Sequence, residues 1–357
     1  MNLFKDMLKS GESLFKDVIV LSYDFQPKIL KYRENEQMQF AVAIRPLLQE
    51  RPGRNLFVHG CPGIGKTTAC KHVLRELEEE TDQVIPIYIN CWKENTTYKI
   101  FMKICEDMGF KFIQQKKTNE LFGLIKGKLN KKGICGVFVF DEVDKLDDYD
   151  FLYTILEDIY RKSILLITNE RDRYNNIDER IRSRLGVEFL FFRPYNQEEI
   201  KGILEQRKEY AFVSGVWDNE AFDKIVEKTA QSNDLRVGLY LMKESGNLAE
   251  EKSLKKICGP QVEEAIHKVD EFRVKDKEEL DEELIRILEL IKMNSGAKIG
   301  DLYSKYQQNS GELSYKSFAR KIDKLKEGKF ISTKRDNSGA GMTTIIDYGA
   351  EKKLTEF

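Results

Sequence analysis

Asn55-Leu56-Phe57-Val58-His59 runs into Gly60-Cys61-Pro62-Gly63-Ile64-Gly65-Lys66-Thr67, and an amphipathic stretch to Glu80 follows. The eight central residues fit the G-x-x-x-x-G-K-[ST] phosphate loop, and their neighbours predict a strand before it and a helix after it. Glycines let the backbone wrap a phosphate, so that successive N–H groups face its oxygens while the helix start adds partial positive charge. In that frame Gly63, Ile64 and Gly65 line the phosphates, Lys66 reaches the β- and γ-groups, and the Thr67 hydroxyl binds Mg²⁺. A glycine-rich turn that merely precedes a lysine would not be bracketed in this way.

Outward from the loop, short β-branched or aromatic runs alternate with amphipathic stretches. Asn55–His59, Val84–Asn90, Ile134–Phe140, Ser163–Thr168 and Val187–Phe192 read as strands. Lys66–Glu80, Lys99–Met108, Asn119–Leu129 and Asp150–Arg161 read as helices. That alternation predicts an α/β fold with a mostly parallel sheet. The apolar run ending at Phe140 opens directly onto Asp141-Glu142, where a buried strand meets the ligand crevice and two acids are costly unless they bind something. Asp141 is expected to hold Mg²⁺ through water and Glu142 to polarise the attacking water as general base. Such a pair can also cap a helix, and the phosphate loop is what favours the catalytic reading. Asn169 ends the next strand, where an amide could orient that water; taken alone it is a turn residue. Arg180, Arg182 and Arg184 follow at two-residue spacing. Composition alone makes them a solvated helix face; the sharper alternative is an arginine that reaches a neighbouring subunit's nucleotide.

The 357 residues allow two or three domains, and 41% hydrophobic residues exclude global disorder. Six scattered cysteines without a C-x-x-C pair, and three histidines, argue against a disulfide framework or zinc module. With no signal-peptide segment at the start and no apolar run long enough to span a bilayer, the chain reads as soluble, intracellular and reduced, with no membrane partner. Gln197–Ala249 reads as several helices, Asn196 with Glu199 as a capping box, Pro260–Lys268 as one more helix, and Glu271–Glu283 as a charged connector. The tail then gives short helices and two strand-like runs, Phe330–Lys334 and Thr343–Asp347, about a turn at Asn337–Gly341, in a segment of winged-helix size.

The formal net charge of −1 conceals a division along the chain. Lys298–Arg335 holds ten Lys/Arg against four Asp/Glu, whereas Asp276–Lys292 holds three against seven. Within the basic part, Ser314 is a plausible N-cap for a helix on which Phe318, Ile322 and Leu325 face inward. Lys316, Arg320 and Lys324 form a separate stripe that could meet phosphates or guanine edges in a major groove. Lys334 and Arg335 stand at the base of the hairpin, suited to contact with the DNA backbone or minor groove. A basic helix face is usually only solvated; the hairpin, the local charge and the upstream nucleotide site together favour duplex DNA.

The order of phosphate loop, Asp-Glu strand end, Asn strand end, arginine cluster and helical lid resembles an AAA+ ATPase. Leu14-Phe15-Lys16-Asp17, Leu21-Ser22-Tyr23-Asp24-Phe25 and Tyr32-Arg33-Glu34 resemble the N-terminal signature of archaeal replication initiators. These belong to the origin-recognition-complex large subunit and cell-division-control family, and Tyr88-Ile89-Asn90-Cys91, Pro194-Tyr195-Asn196 and Asp234-Leu235-Arg236 add to the resemblance. It implies an AAA+ core over residues 1–192, a helical lid over 193–275 and a winged-helix DNA-binding domain over 276–357. It further implies that Asn169 is a first nucleotide sensor and Arg236 a second. Tyr195 and Arg207 would line the nucleotide, and Arg184 or Arg182 would act in trans. Phe110–Asn119, with Lys111, Lys116 and Lys117, occupies the place of an initiator-specific insertion, here compact. The expected function is replication initiation: binding duplex origin DNA, recruiting or loading the replicative helicase, possible self-association on DNA, and slow hydrolysis with ATP/ADP as a switch. Such a protein would be cytoplasmic and nucleoid-associated. The alternatives are a clamp-loader-like or regulatory ATPase whose winged helix contacts protein, and a transcription regulator that only holds ADP.

Overall fold

The computed structural model describes residues 13–278, 282–308, 313–327, 331–336 and 343–348. The chain divides into two compact units, of which one is Asp24–Glu199. In it, helix α1 (Glu34–Ile44) precedes strand β1 (Leu56–His59), and α2 (Lys66–Glu80) follows the phosphate loop. Next come β2 (Val84–Asn90), α3 (Thr97–Asp107), α4 (Thr118–Leu129), β3 (Cys135–Asp141) and α5 (Asp150–Asp158). β4 (Lys162–Thr168), α6 (Glu179–Leu185) and β5 (Glu188–Phe191) complete the unit.

The five strands are parallel in the order β2-β3-β4-β1-β5. β1 therefore lies inside the sheet, beside the later strand β4, and every strand presents its C-terminal end at one edge. Register aligns Asn90 with Asp141, Asp141 with Ile167, and His59 with Thr168, so the strand tips that carry polar residues stand side by side. β3 is buried along its whole length, which explains its unbroken apolar run. Phe57, Phe138, Phe140, Phe151 and Leu166 are among the residues that fill the core against α3, α4 and α5. Helix α5 stops at Asp158, three residues short of the expected Arg161, because Ile159 is already extended and buried. The segment between α3 and α4 keeps Ile113 in the core and exposes Phe112, whose φ is +58°.

The other unit contains helices α7 (Gln197–Ala211), which starts at the end of the first unit, α8 (Asn219–Ser232), α9 (Leu235–Glu251) and α10 (Gly259–Glu278). The expected capping box forms at the start of α7: Asn196 N–H donates to Glu199 Oε2 at 2.9 Å, and Glu199 N–H to Asn196 Oδ1 at 2.8 Å. Phe212, Trp217 and Phe222 meet edge to face between α7 and α8. Residues 13–23 belong with these helices and not with the sheet. Phe15 packs on Phe212 and fills the space over Gly246, where a Cβ would stand 2.3 Å from its Cζ. Glu250 Oε1 accepts the Ser13 hydroxyl and the Leu14 N–H, each at 2.7 Å. The helix expected to end at Lys268 continues to Glu278, across the boundary anticipated between 275 and 276. Its charged residues are mostly good helix formers, which the acid-rich composition had disguised as a connector.

Beyond it, α11 (Glu282–Met293), β6 (Ala297–Lys298), α12 (Ile299–Gln308), α13 (Tyr315–Glu327), β7 (Ile331–Asp336) and β8 (Thr343–Tyr348) form the C-terminal module. Its three antiparallel strands are ordered β6-β8-β7. Leu284, Ile287, Ile291, Phe318, Ile322 and Leu325 belong to a separate core. The expected turn at 337–341 lies outside the described residues. No helix among the described residues is long and apolar enough to cross a membrane.

Candidate functional site

The phosphate loop takes its shape from glycines that no other residue could replace without strain. Gly65 has φ +88° and serves as N-cap of α2, while a Cβ on Gly60 would stand 2.4 Å from the Phe192 carbonyl oxygen. Lys66 opens α2 and is buried, its ammonium donating to Gly60 O at 2.8 Å, Cys61 O at 2.7 Å and Asn169 Oδ1 at 2.9 Å. The sheet order explains the last contact, because β4 lies next to β1 and brings its tip to the loop. Asn169 is thereby placed in direct contact with the lysine of the loop.

Asp141, only 3% exposed, receives three hydrogen bonds. Thr67 Oγ1 donates to Oδ2 at 2.6 Å, Tyr88 OH to the same oxygen at 2.7 Å, and Glu142 N–H to Oδ1 at 2.9 Å. Thr67 and Asp141 thus present two hard oxygens at one point, a donor pair that fits Mg²⁺ completed by phosphate and water. Burial, then the neighbouring Asp141 carboxylate, pushes the Tyr88 phenol up; the same two causes, in the same order, raise the Cys70 and Cys91 thiols. These groups stay neutral and protonated beside the acid. Glu142 has φ +57°, a left-handed conformation that costs a non-glycine residue of order 1–3 kcal/mol. Strain of that kind at the tip of a buried strand accords with a functional constraint. His59, at the tip of β1, is pushed below its ordinary range by burial, then by Arg171 and Lys66.

Tyr195 is buried against the loop, its hydroxyl 2.9 Å from where a Gly65 Cβ would stand. Arg207 is also buried, with Nη1 donating to Val20 O at 3.0 Å, and burial lowers it to about 10. Arg236 is exposed at the start of α9, where its N–H donates to the N-cap Asp234 at 2.9 Å. Among the three arginines of α6, Arg184 forms an ion pair with Glu157 and lies over the Tyr153 ring at 4.8 Å. Arg182 stacks at 5.9 Å over Tyr174, and its Nε is buried without a partner among the described residues; Arg180 is exposed.

In the C-terminal module, Ser314 Oγ accepts the Ser317 N–H at 3.3 Å, as an N-cap does. Phe318, Ile322 and Leu325 are buried on one face of α13, while Lys316, Arg320 and Lys324 are exposed. Lys334 and Arg335 lie in β7, and their side chains are outside the described residues.

Two residues of the site were not assigned a role by sequence reasoning. Tyr88 lies within a strand-like run and Arg33 before the first helix, and both appear only as part of the family resemblance. Neither lies in a motif with its own chemistry.

Residues 49–173 match the model of the AAA domain, and residues 201–267 match the Cdc6 AAA+ ATPase-type lid domain. ORC1-type DNA replication protein 1 of Archaeoglobus fulgidus is 30% identical over 76% of this chain and 69% of its own length. ORC1-type DNA replication protein 3 of Haloarcula marismortui is 28% identical over 98% of this chain and 97% of its own. Among solved structures, the Aeropyrum pernix ORC1 protein in complex with DNA superimposes with a TM-score of 0.68 at 26% identity, covering 97% of this chain and 98% of that one. A phosphate loop, an acid pair and an asparagine joined across a parallel sheet, followed by a Cdc6-type lid, agree with that similarity along nearly the whole chain. The chain belongs to the ORC1/Cdc6 family of AAA+ ATPases, the family of DNA replication initiation.

Proposed function

We propose that this protein is an ATP-dependent replication initiator that binds duplex DNA at origins and helps recruit or load the replicative helicase, with ATP as a conformational switch. The observation that carries the nucleotide half is the junction of Lys66 with Asn169 at 2.9 Å and of Thr67 with Asp141 at 2.6 Å. Backbone N–H groups of residues 63–67 receive the β- and γ-phosphates, and Lys66 exchanges its loop carbonyls for phosphate oxygens. Thr67 and Asp141 hold Mg²⁺, which when bound neutralises charge on the phosphates. Glu142 accepts the proton of the attacking water, and Asn169 exchanges its contact with Lys66 for one to that water or the γ-phosphate. Tyr195 and Arg207 contribute to nucleotide binding, and Arg236 is the second sensor. Loss of the γ-phosphate contact changes the lid and with it the contacts to DNA or helicase.

The DNA half rests on the exposed Lys316, Arg320 and Lys324, on a helix whose other face is fully committed to the core. The DNA complex of the Aeropyrum pernix relative supports the same reading. Footprinting the protein with ATP and with ADP on DNA flanking its own gene tests the whole proposal. A discrete protected site is expected. ATP turnover without protection would favour a loader-type or regulatory ATPase.

A further inference from the structure

We infer that Arg33 is a positioning residue that sets the phosphate loop before ligand arrives, an inference that rests on the reading of residues 60–67 as a nucleotide site. Arg33 is completely buried just before α1. A guanidinium in that position is costly unless its donors are matched. Nε and Nη2 both donate to Ile64 O, at 3.2 and 3.0 Å, and Nη2 also donates to Arg193 O at 2.6 Å. Nη1 donates to Glu36 Oε1 at 2.6 Å. The Tyr195 ring lies 3.9 Å from Cζ, and the Phe192 ring 5.2 Å.

Ile64 is the residue before Gly65, inside the phosphate loop. In a trans peptide the C=O and the following N–H point in opposite directions. Two donors on the Ile64 carbonyl therefore aim the Gly65 N–H away from Arg33, fixing one donor of the phosphate cradle. The same guanidinium holds Tyr195 by its face, and the Tyr195 hydroxyl abuts Gly65. The planar fork is needed because three N–H groups must serve two carbonyls while the ring stacks, which an ammonium cannot do.

The test uses the full chain, a fluorescent ADP analogue and competition by ADP and AMP. Arg33→Lys, with an unchanged far-UV spectrum and cooperative melting, is expected to lose about tenfold in ADP affinity, the scale of one charge-assisted contact. AMP affinity is expected to stay within about twofold, since the cradle serves the β-phosphate, so the ADP-over-AMP preference shrinks. A general loss of structure would lower both alike. Tyr195→Leu, which keeps the guanidinium bonds and removes the ring, should reduce the same preference by a few-fold and decides the matter if Arg33→Lys does not fold. An unchanged preference in a folded variant overturns the inference. Failure of the unsubstituted chain to bind ADP would take the nucleotide reading down with it.

Discussion

Replacing Thr67 with valine removes one hydroxyl and nearly preserves volume, so it isolates the contact between the start of α2 and the end of β3. In the free protein that hydroxyl supplies one of three hydrogen bonds on a carboxylate that is 3% exposed. Tyr88 and the Glu142 N–H remain, so Asp141 is not orphaned. The loss should therefore be about 1.5–3 kcal/mol, as for a hydrogen bond to a charged group. Urea denaturation without nucleotide measures it. Nucleotide binding carries the sharper expectation. The phosphate cradle is built from backbone N–H groups, so ADP affinity without Mg²⁺ should change by no more than a few-fold. The gain in affinity on adding Mg²⁺ should largely disappear, because the hydroxyl proposed to bind it is gone. Titrating a fluorescent ADP analogue with and without Mg²⁺, in both proteins, separates the two effects. A Mg²⁺-dependent gain equal to that of the unsubstituted chain would refute the assignment of Thr67. Equal losses with and without the metal would mean that the hydroxyl acts through the loop's shape instead.

Glu142→Gln should bind ATP normally and lose about 10²–10⁴-fold in hydrolysis, as removal of a general base does; normal turnover would discard Glu142 as the base. Lys316→Ala with Arg320→Ala should weaken duplex binding and reduce the slope of log affinity against log salt by about 2, one unit per phosphate contact. Unchanged affinity and slope would remove α13 from the interface. The Glu199 carboxyl is held below its usual range, first by its hydrogen bond from Arg193. The unfolded chain then binds more protons than the folded one as pH drops through the ordinary glutamate range, roughly pH 4.3, so this contribution is present above that range and lost below it. Glu199→Gln should flatten the acid limb of stability against pH, and an unchanged limb in urea titrations would show that the Arg193–Glu199 pair contributes nothing there.

Which elements were legible, and which were not, follows from how local each signal is. The phosphate loop is a contiguous string whose glycines and lysine act through backbone shape, so its reading needs only the strand and helix that flank it along the chain. β3 announced itself because a strand covered on both faces must be apolar throughout. The basic and apolar faces of α13 followed from helical spacing alone. By contrast, the acidic stretch after Lys268 resembles a connector because its charge density is that of a linker, although its residues favour helix. Leu14–Asp17, the first part of the N-terminal signature, falls within the expected core because it precedes the sheet in sequence, whereas Phe15 packs on Phe212 and Glu250 binds Leu14, which join this part to the lid helices.

The phosphate loop at residues 60–67, a parallel sheet with an acid pair at its edge, and a tail helix with one basic and one apolar face are all legible along the chain. Each is a property of residues close together along the chain. The folded arrangement adds that Asn169 touches Lys66, that Tyr88 and Thr67 share one oxygen of Asp141, and that Arg33 grips Ile64 from 31 residues away. Those contacts arise from strand order and burial. The insertion of β1 between β4 and β5 leaves no trace in local spacing, and the value of a buried guanidinium depends on carbonyls supplied by distant segments.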